Sequence, residues 1–161
     1  MKIYSFPSIS NKEAKVLVLG TMPGTASLAL NQYYGHPRNA FWKIVFTLFN
    51  EPFSTDYEVR KELAIRNHIA IWDVLQACER KGSLDSAIKH EIPNDFELFF
   101  KEHPHIEWIV FNGQKAAQFF KKYVKLDNEY KQVTLPSTSP ANAGISWEVK
   151  LEEWRVISCK L

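Results

Sequence analysis

Cysteine and net charge are both scarce in this chain, and each shortage removes a class of function. The 161 residues hold only Cys78 and Cys159, far apart and outside any CxxC or Cys/His spacing. A disulfide framework and a metal site are therefore not expected, and both thiols read as free and buried in a reducing cytoplasm. Formal net charge is only +2, so there is no basic coat, and any contact with a polyanion must be local. MKIYSFPSIS lacks the apolar run of a signal peptide, and no stretch reaches membrane-spanning length. The chain reads as cytoplasmic, with no membrane partner. GxGxxG and the P-loop lysine are missing too, which argues against a nucleotide-phosphate cradle. With no repeat, low-complexity tract or linker, residues 1–161 read as one domain, large enough to bury a real core.

What the sequence does have is aromatic and β-branched residues in ordered blocks. Aromatics make up 14% of the chain, and most should be core, because rings bury large areas. Residues 15–20 (KVLVLG), 68–73 (HIAIWD), 107–113 (EWIVFNG) and 130–136 (YKQVTLP) are short apolar runs ending at turn residues. Such runs, each followed by a longer segment, mark parallel strands covered on both faces. The segments between them carry helical spacing. In 40–49 the residues Phe41, Trp42, Ile44, Val45, Leu48 and Phe49 recur at three and four, and Pro37 suits the first helical turn. Pro93 suits the opening of a helix over 94–101. A third helix follows Gly113, with Ala116, Ala117, Phe120, Tyr123 and Val124 on one stripe, and a fourth spans 145–156. The fold expected is a three-layer α/β/α sandwich with a central four-stranded parallel sheet.

Ligands of such sheets gather at the carboxyl ends of the strands. The site should therefore comprise GTMPG (Gly20, Thr21, Met22, Pro23, Gly24), Asp73, Asn112 and the loop LPSTSPAN. The glycines of GTMPG allow backbone to approach a ligand closely. In the last loop Pro136, Ser137, Thr138, Ser139, Pro140 and Asn142 offer stiffness, hydroxyls and amides suited to phosphate oxygens. YYGHPRNAFW sets two tyrosines and a Gly35-His36-Pro37 turn before a strongly apolar helix. Tyr34 is a stacking candidate, with Tyr33 as the alternative. Asn39 is a group to hold water or bond a purine edge, or else a helix cap. His36 is a proton carrier or a structural turn residue.

GTMPGT, YYGHPRNAFWKI and LPSTSPAN, in this order and following these strands, resemble the uracil-DNA glycosylase superfamily. The likeness is nearest to its hypoxanthine-DNA (deoxyinosine) glycosylase branch, which IAIWDVLQACERKGSLD (69–85) also resembles, so it covers nearly the whole chain. Two departures matter. The position that carries a water-activating polar residue in the mismatch-specific enzymes is Met22, and the histidine that opens the last motif in other uracil enzymes is Leu135. By the pattern of the branch, catalysis passes to Asn39 and base stacking to Tyr34.

The resemblance implies a monofunctional enzyme of base-excision repair that acts on damaged DNA, as a monomer and without metal or cofactor. The flipped base would be contacted by Gly20, Thr21, Met22, Pro23, Tyr34, Gly35, His36, Asp73 and Asn112. Arg38 and the 136–142 loop would grip the DNA. The alternatives are a uracil-selective enzyme of the same fold, a non-catalytic lesion binder, and a nucleoside hydrolase that would use Asp73 at the ribose.

Overall fold

The computed structural model of the chain describes residues 2–159. Its centre is a parallel sheet of β2 (Val16–Gly20), β3 (Ile69–Asp73), β6 (Trp108–Asn112) and β7 (Lys131–Leu135), in the order β3-β2-β6-β7. Side chains alternate across a strand, and here the two sets feed two different cores. Val16, Val18, Ile69, Ile71 and Val110 face one cluster, with Phe41, Trp42, Ile44, Leu63 and Trp154. Leu17, Leu19, Ala70, Ile109 and Phe111 face the other, with Phe96, Phe99, Ala116 and Phe120. Each fully buried Leu, Ile or Phe contributes about 1.5–3 kcal/mol. Two-sided burial is why these strands read as unbroken apolar runs, and the expected sandwich is what they form.

On the first face lie α2 (Phe41–Leu48), α3 (Tyr57–Arg66), α6 (Trp147–Trp154) and α7 (Val156–Cys159), and on the second α4 (Phe96–Glu102) and α5 (Gln114–Tyr123). A short α1 (Thr25–Leu30) follows β2. The chain leaves β2 for β3 on one side and reaches β6 on the other, so the topological switch falls between β2 and β6. Crevices in open α/β sheets form at that point.

Several local expectations need correction. Pro37 lies outside α2, which begins at Phe41. It occupies the second position of a turn in which Asn39 N–H bonds the His36 carbonyl at 2.9 Å, a place that the fixed φ of proline favours. Pro93 ends a strand rather than opening a helix, and α4 is instead capped by Asp95, whose carboxylate accepts Leu98 N–H at 3.1 Å. Cys78 is free and buried, but Cys159 is free and exposed.

A second sheet was not foreseen. It is antiparallel, β1-β4-β5, built from β1 (Lys2–Tyr4), β4 (Leu75–Glu79) and β5 (Lys89–Pro93). Among the described residues no helix is long and apolar enough to cross a membrane.

Candidate active site

A cavity of about 1040 Å³ opens at the carboxyl ends of β2, β3, β6 and β7. The turn after β2 forms one wall. A methyl group on Gly20 would stand 2.7 Å from Asp73 Oδ1 and 3.0 Å from the Tyr34 hydroxyl, so no side chain fits there. The turn is held from behind: the Gly20 carbonyl accepts Val74 N–H (2.8 Å), the Thr21 carbonyl Leu75 N–H (3.3 Å), and the Pro23 carbonyl an Arg80 guanidinium N–H (2.6 Å). Thr21 and Met22 line the cavity but are themselves 5% and 8% exposed.

Both tyrosines touch the cavity, but they are held differently. Tyr33 belongs to the core: its hydroxyl donates to the Phe6 carbonyl (2.9 Å), and its own carbonyl accepts the indole N–H of buried Trp42 (2.8 Å). Tyr34 then turns the chain through a left-handed conformation, φ +54°, uncommon for a residue with a side chain. Its ring packs on Phe41 with centroids 4.2 Å apart and lines the cavity. The Tyr34 hydroxyl is buried without a hydrogen-bond partner of good geometry, although Asn112 is near enough to pull its pKa down somewhat. Burial first, and then the Asp73 charge, push that phenol far above its ordinary pKa.

Gly35 stands behind the wall rather than on it. Its N–H bonds Ser27 Oγ at 2.9 Å, and a side chain there would crowd Leu30 at 3.1 Å. His36 lines the cavity, yet its Nδ1 accepts the Arg38 backbone N–H at 3.0 Å, which makes it a turn residue. The Arg38 side chain is exposed. Asn39 lines the cavity while its Oδ1 accepts Phe41 N–H at 2.9 Å. This local bond, just before the Ala40 N-cap of α2, fixes the plane of the amide, and its second lone pair and two N–H groups are what it offers a ligand.

Across the cavity the last loop is anchored through Asn112. That side chain donates to Thr138 Oγ1 and accepts Thr138 N–H, both at 2.9 Å. Asn112 and Thr138 are 8% and 1% exposed. Thr138, expected on phosphate, is therefore an internal latch, and most of the Asn112 amide is committed to it rather than to a base. Gly113 has φ +96°, and a methyl group there would meet Ser137 Cβ at 3.2 Å. The Pro136 carbonyl accepts the indole N–H of buried Trp154 at 2.9 Å. Ser137 Oγ and Ser139 Oγ each accept a backbone N–H two residues on, and Asn142 bonds the Ser137 carbonyl. Both serines keep their hydroxyl protons for an acceptor such as phosphate. Pro140 opens a single 3-10 turn, Pro140–Asn142.

Three carboxylates line the cavity: Asp73, Asp85 and the exposed Glu153. Asp73 is 3% exposed and accepts Ser5 Oγ–H at 2.6 Å; burial, with the nearby Asp85 charge adding to it, raises its pKa to about 7. Asp85 was not anticipated as a site residue, although it closes the 69–85 stretch that carried part of the resemblance. It stands at the start of the 3-10 turn Asp85–Ala87 and lines the cavity, and burial raises its pKa as well. Among the described residues no cluster of His, Cys, Asp and Glu is arranged to hold a metal ion.

The model of the uracil DNA glycosylase superfamily matches residues 7–157. The chain belongs to that superfamily. A hypoxanthine DNA glycosylase of Methanosarcina acetivorans is 35% identical over 153 residues, covering 94% of this chain and 95% of the relative. One from Methanosarcina barkeri is 37% identical over 120 residues, covering 74% and 76%. A solution NMR structure of a candidate uracil DNA glycosylase from Methanosarcina acetivorans superposes with a TM-score of 0.81 at 33% identity, over 98% of this chain and 99% of that one. As a member of this superfamily the protein is a DNA glycosylase.

Proposed function

We propose that this glycosylase hydrolyses the N-glycosidic bond of a deaminated nucleotide flipped out of DNA, with hypoxanthine in deoxyinosine as the substrate. The observation that carries this is Asn39: an amide fixed by its bond to the Phe41 N–H where it lines the cavity, which Tyr34 also lines. Two relatives that span most of the chain bear the name hypoxanthine DNA glycosylase, and the pocket has no histidine where Leu135 stands. Uracil is the second reading, favoured by the name of the solved relative.

Flipping costs a few kcal/mol, less for a damaged pair. Stacking on Tyr34 returns about 1–3 kcal/mol. Ser137 and Ser139 hydroxyls and the exposed Arg38 engage backbone phosphates. As the C1′–N9 bond lengthens, its electron pair goes to the base, positive charge grows on the sugar, and a water oxygen closes on C1′. An amide does not take a proton at neutral pH, so Asn39 orients and polarises that water, whose proton leaves to solvent or to the departing base. The reaction ends at the abasic site without strand cleavage, and the enzyme works as a monomer. Single-turnover excision from duplexes with deoxyinosine or deoxyuridine tests this. Release of hypoxanthine is the expected result; release of uracil alone would move the specificity, and release of neither would sink the reading.

A further inference from the structure

The segment between β4 and β5 is pinned onto the cavity. Arg80 donates to the carbonyls of Gly82 (2.7 Å) and Pro23 (2.6 Å), and Ser83 Oγ accepts Thr25 N–H at 2.8 Å. This places Asp85 in the cavity wall, partly buried, with the Thr21 side chain facing its carboxylate. Arg80 is near enough for its charge to be felt, but among the described residues Asp85 is in no ion pair within 4.0 Å. Its charge is also felt at Tyr34 and Asp73, with which it lines the same cavity. A carboxylate drawn out of water, held in place and left without a salt-bridge partner is an acceptor waiting for a donor.

Deamination creates such a donor. Adenine presents N1 as an acceptor, and hypoxanthine presents N1–H; cytosine presents N3 as an acceptor, and uracil presents N3–H. Resting on the glycosylase reading above, we propose that Asp85 accepts this ring N–H from the flipped base and so selects deaminated bases against their amino parents. The acceptor edge of adenine or cytosine would meet carboxylate lone pairs and find no donor. A site built to bond a substrate N–H rejects the analogue lacking it far more strongly than a shape-based pocket can. One carboxylate thus serves both hypoxanthine and uracil, with the purine or pyrimidine preference left to the shape of the cavity.

The test compares wild type and Asp85→Ala in single-turnover excision from duplexes holding deoxyinosine or 1-methyldeoxyinosine, in which the edge proton is replaced. Affinity for a duplex with a tetrahydrofuran abasic analogue is measured alongside. Asp85→Ala should slow hypoxanthine release by about 10–100-fold, the range for a hydrogen bond to a charged group. It should leave the slow 1-methyl substrate and the abasic affinity unchanged. Asp85→Asn, nearly isosteric, should also narrow the preference for deoxyinosine over deoxyadenosine, because its NH₂ group can face an acceptor. Equal slowing of both substrates, or none, would overturn the assignment. A wild type inactive on deoxyinosine and on deoxyuridine would instead remove the reading on which it rests.

Discussion

Asn112 holds Thr138 by two hydrogen bonds of 2.9 Å, one to the backbone N–H and one to the hydroxyl. Thr138 in turn accepts the Ala40 N–H on its carbonyl at 3.0 Å. One latch thus connects the end of β6, the last loop and the loop that carries Asn39. Asn112→Ala strands a buried N–H and a buried hydroxyl, at a cost of about 1–3 kcal/mol each before relaxation. We expect a lower denaturant midpoint and weaker binding of an abasic-analogue duplex. Wild-type affinity in the variant would mean that the latch does not set the DNA-binding loop.

Gly20→Ala puts a methyl group 2.7 Å from Asp73 Oδ1 and 3.0 Å from the Tyr34 hydroxyl. Overpacking of this kind costs about 1–3 kcal/mol, and here it presses on the Tyr34 ring. Excision should fall more than stability alone accounts for, as judged by rates taken where both proteins are fully folded.

Tyr34 supplies a ring whose hydroxyl has no good partner. Tyr34→Phe should therefore keep stability and excision near wild type, whereas Tyr34→Ala should lose roughly 10–100-fold in rate, the equivalent of one base stack. A large loss in Tyr34→Phe would show that the hydroxyl, and not the ring face, contacts the base.

The pKa of Asp73 is raised to about 7 by burial, against an ordinary value of 3.8. The folded state then binds more protons than the unfolded state between those values, so this group favours folding at low pH and that contribution is lost as pH rises toward 7. Asp73→Asn keeps the shape and an acceptor for Ser5 but removes the titration. The variant should gain stability relative to wild type between pH 4.5 and pH 8, measured by chemical denaturation. A constant difference over that window would contradict the protonation assigned to Asp73.

How much of this was legible in the sequence follows from burial. The four parallel strands bury both faces, so their apolar runs were unmistakable. The β1-β4-β5 sheet was not legible, because β1 has three residues, β5 exposes three of its five, and the mostly buried β4 follows β3 after a single residue. Helix α3 was missed for a related reason. Its Arg60 is buried, with the guanidinium 5.2 Å from the Phe53 ring and 5.8 Å from Trp42, while Val59 is exposed, which inverts the expected stripe. At the site, strand-end position found most cavity residues. It could not find Asp85, which reaches the cavity from a hairpin rather than a strand end. Nor could it separate Thr138 from its serine neighbours, because only the fold turns that hydroxyl inward.

The most direct test of the account uses the double role of Asn39. Asn39→Ser keeps a side-chain oxygen able to accept the Phe41 N–H, and Asn39→Ala does not; losing that bond costs about 0.5–1.5 kcal/mol. Both variants lose the amide. In single-turnover excision of hypoxanthine from a deoxyinosine duplex, both should fall by roughly 10²–10⁴-fold, while only Asn39→Ala loses stability. An Asn39→Ser enzyme that excises hypoxanthine at the wild-type rate would contradict the account, and Asn39 would be a turn residue and nothing more.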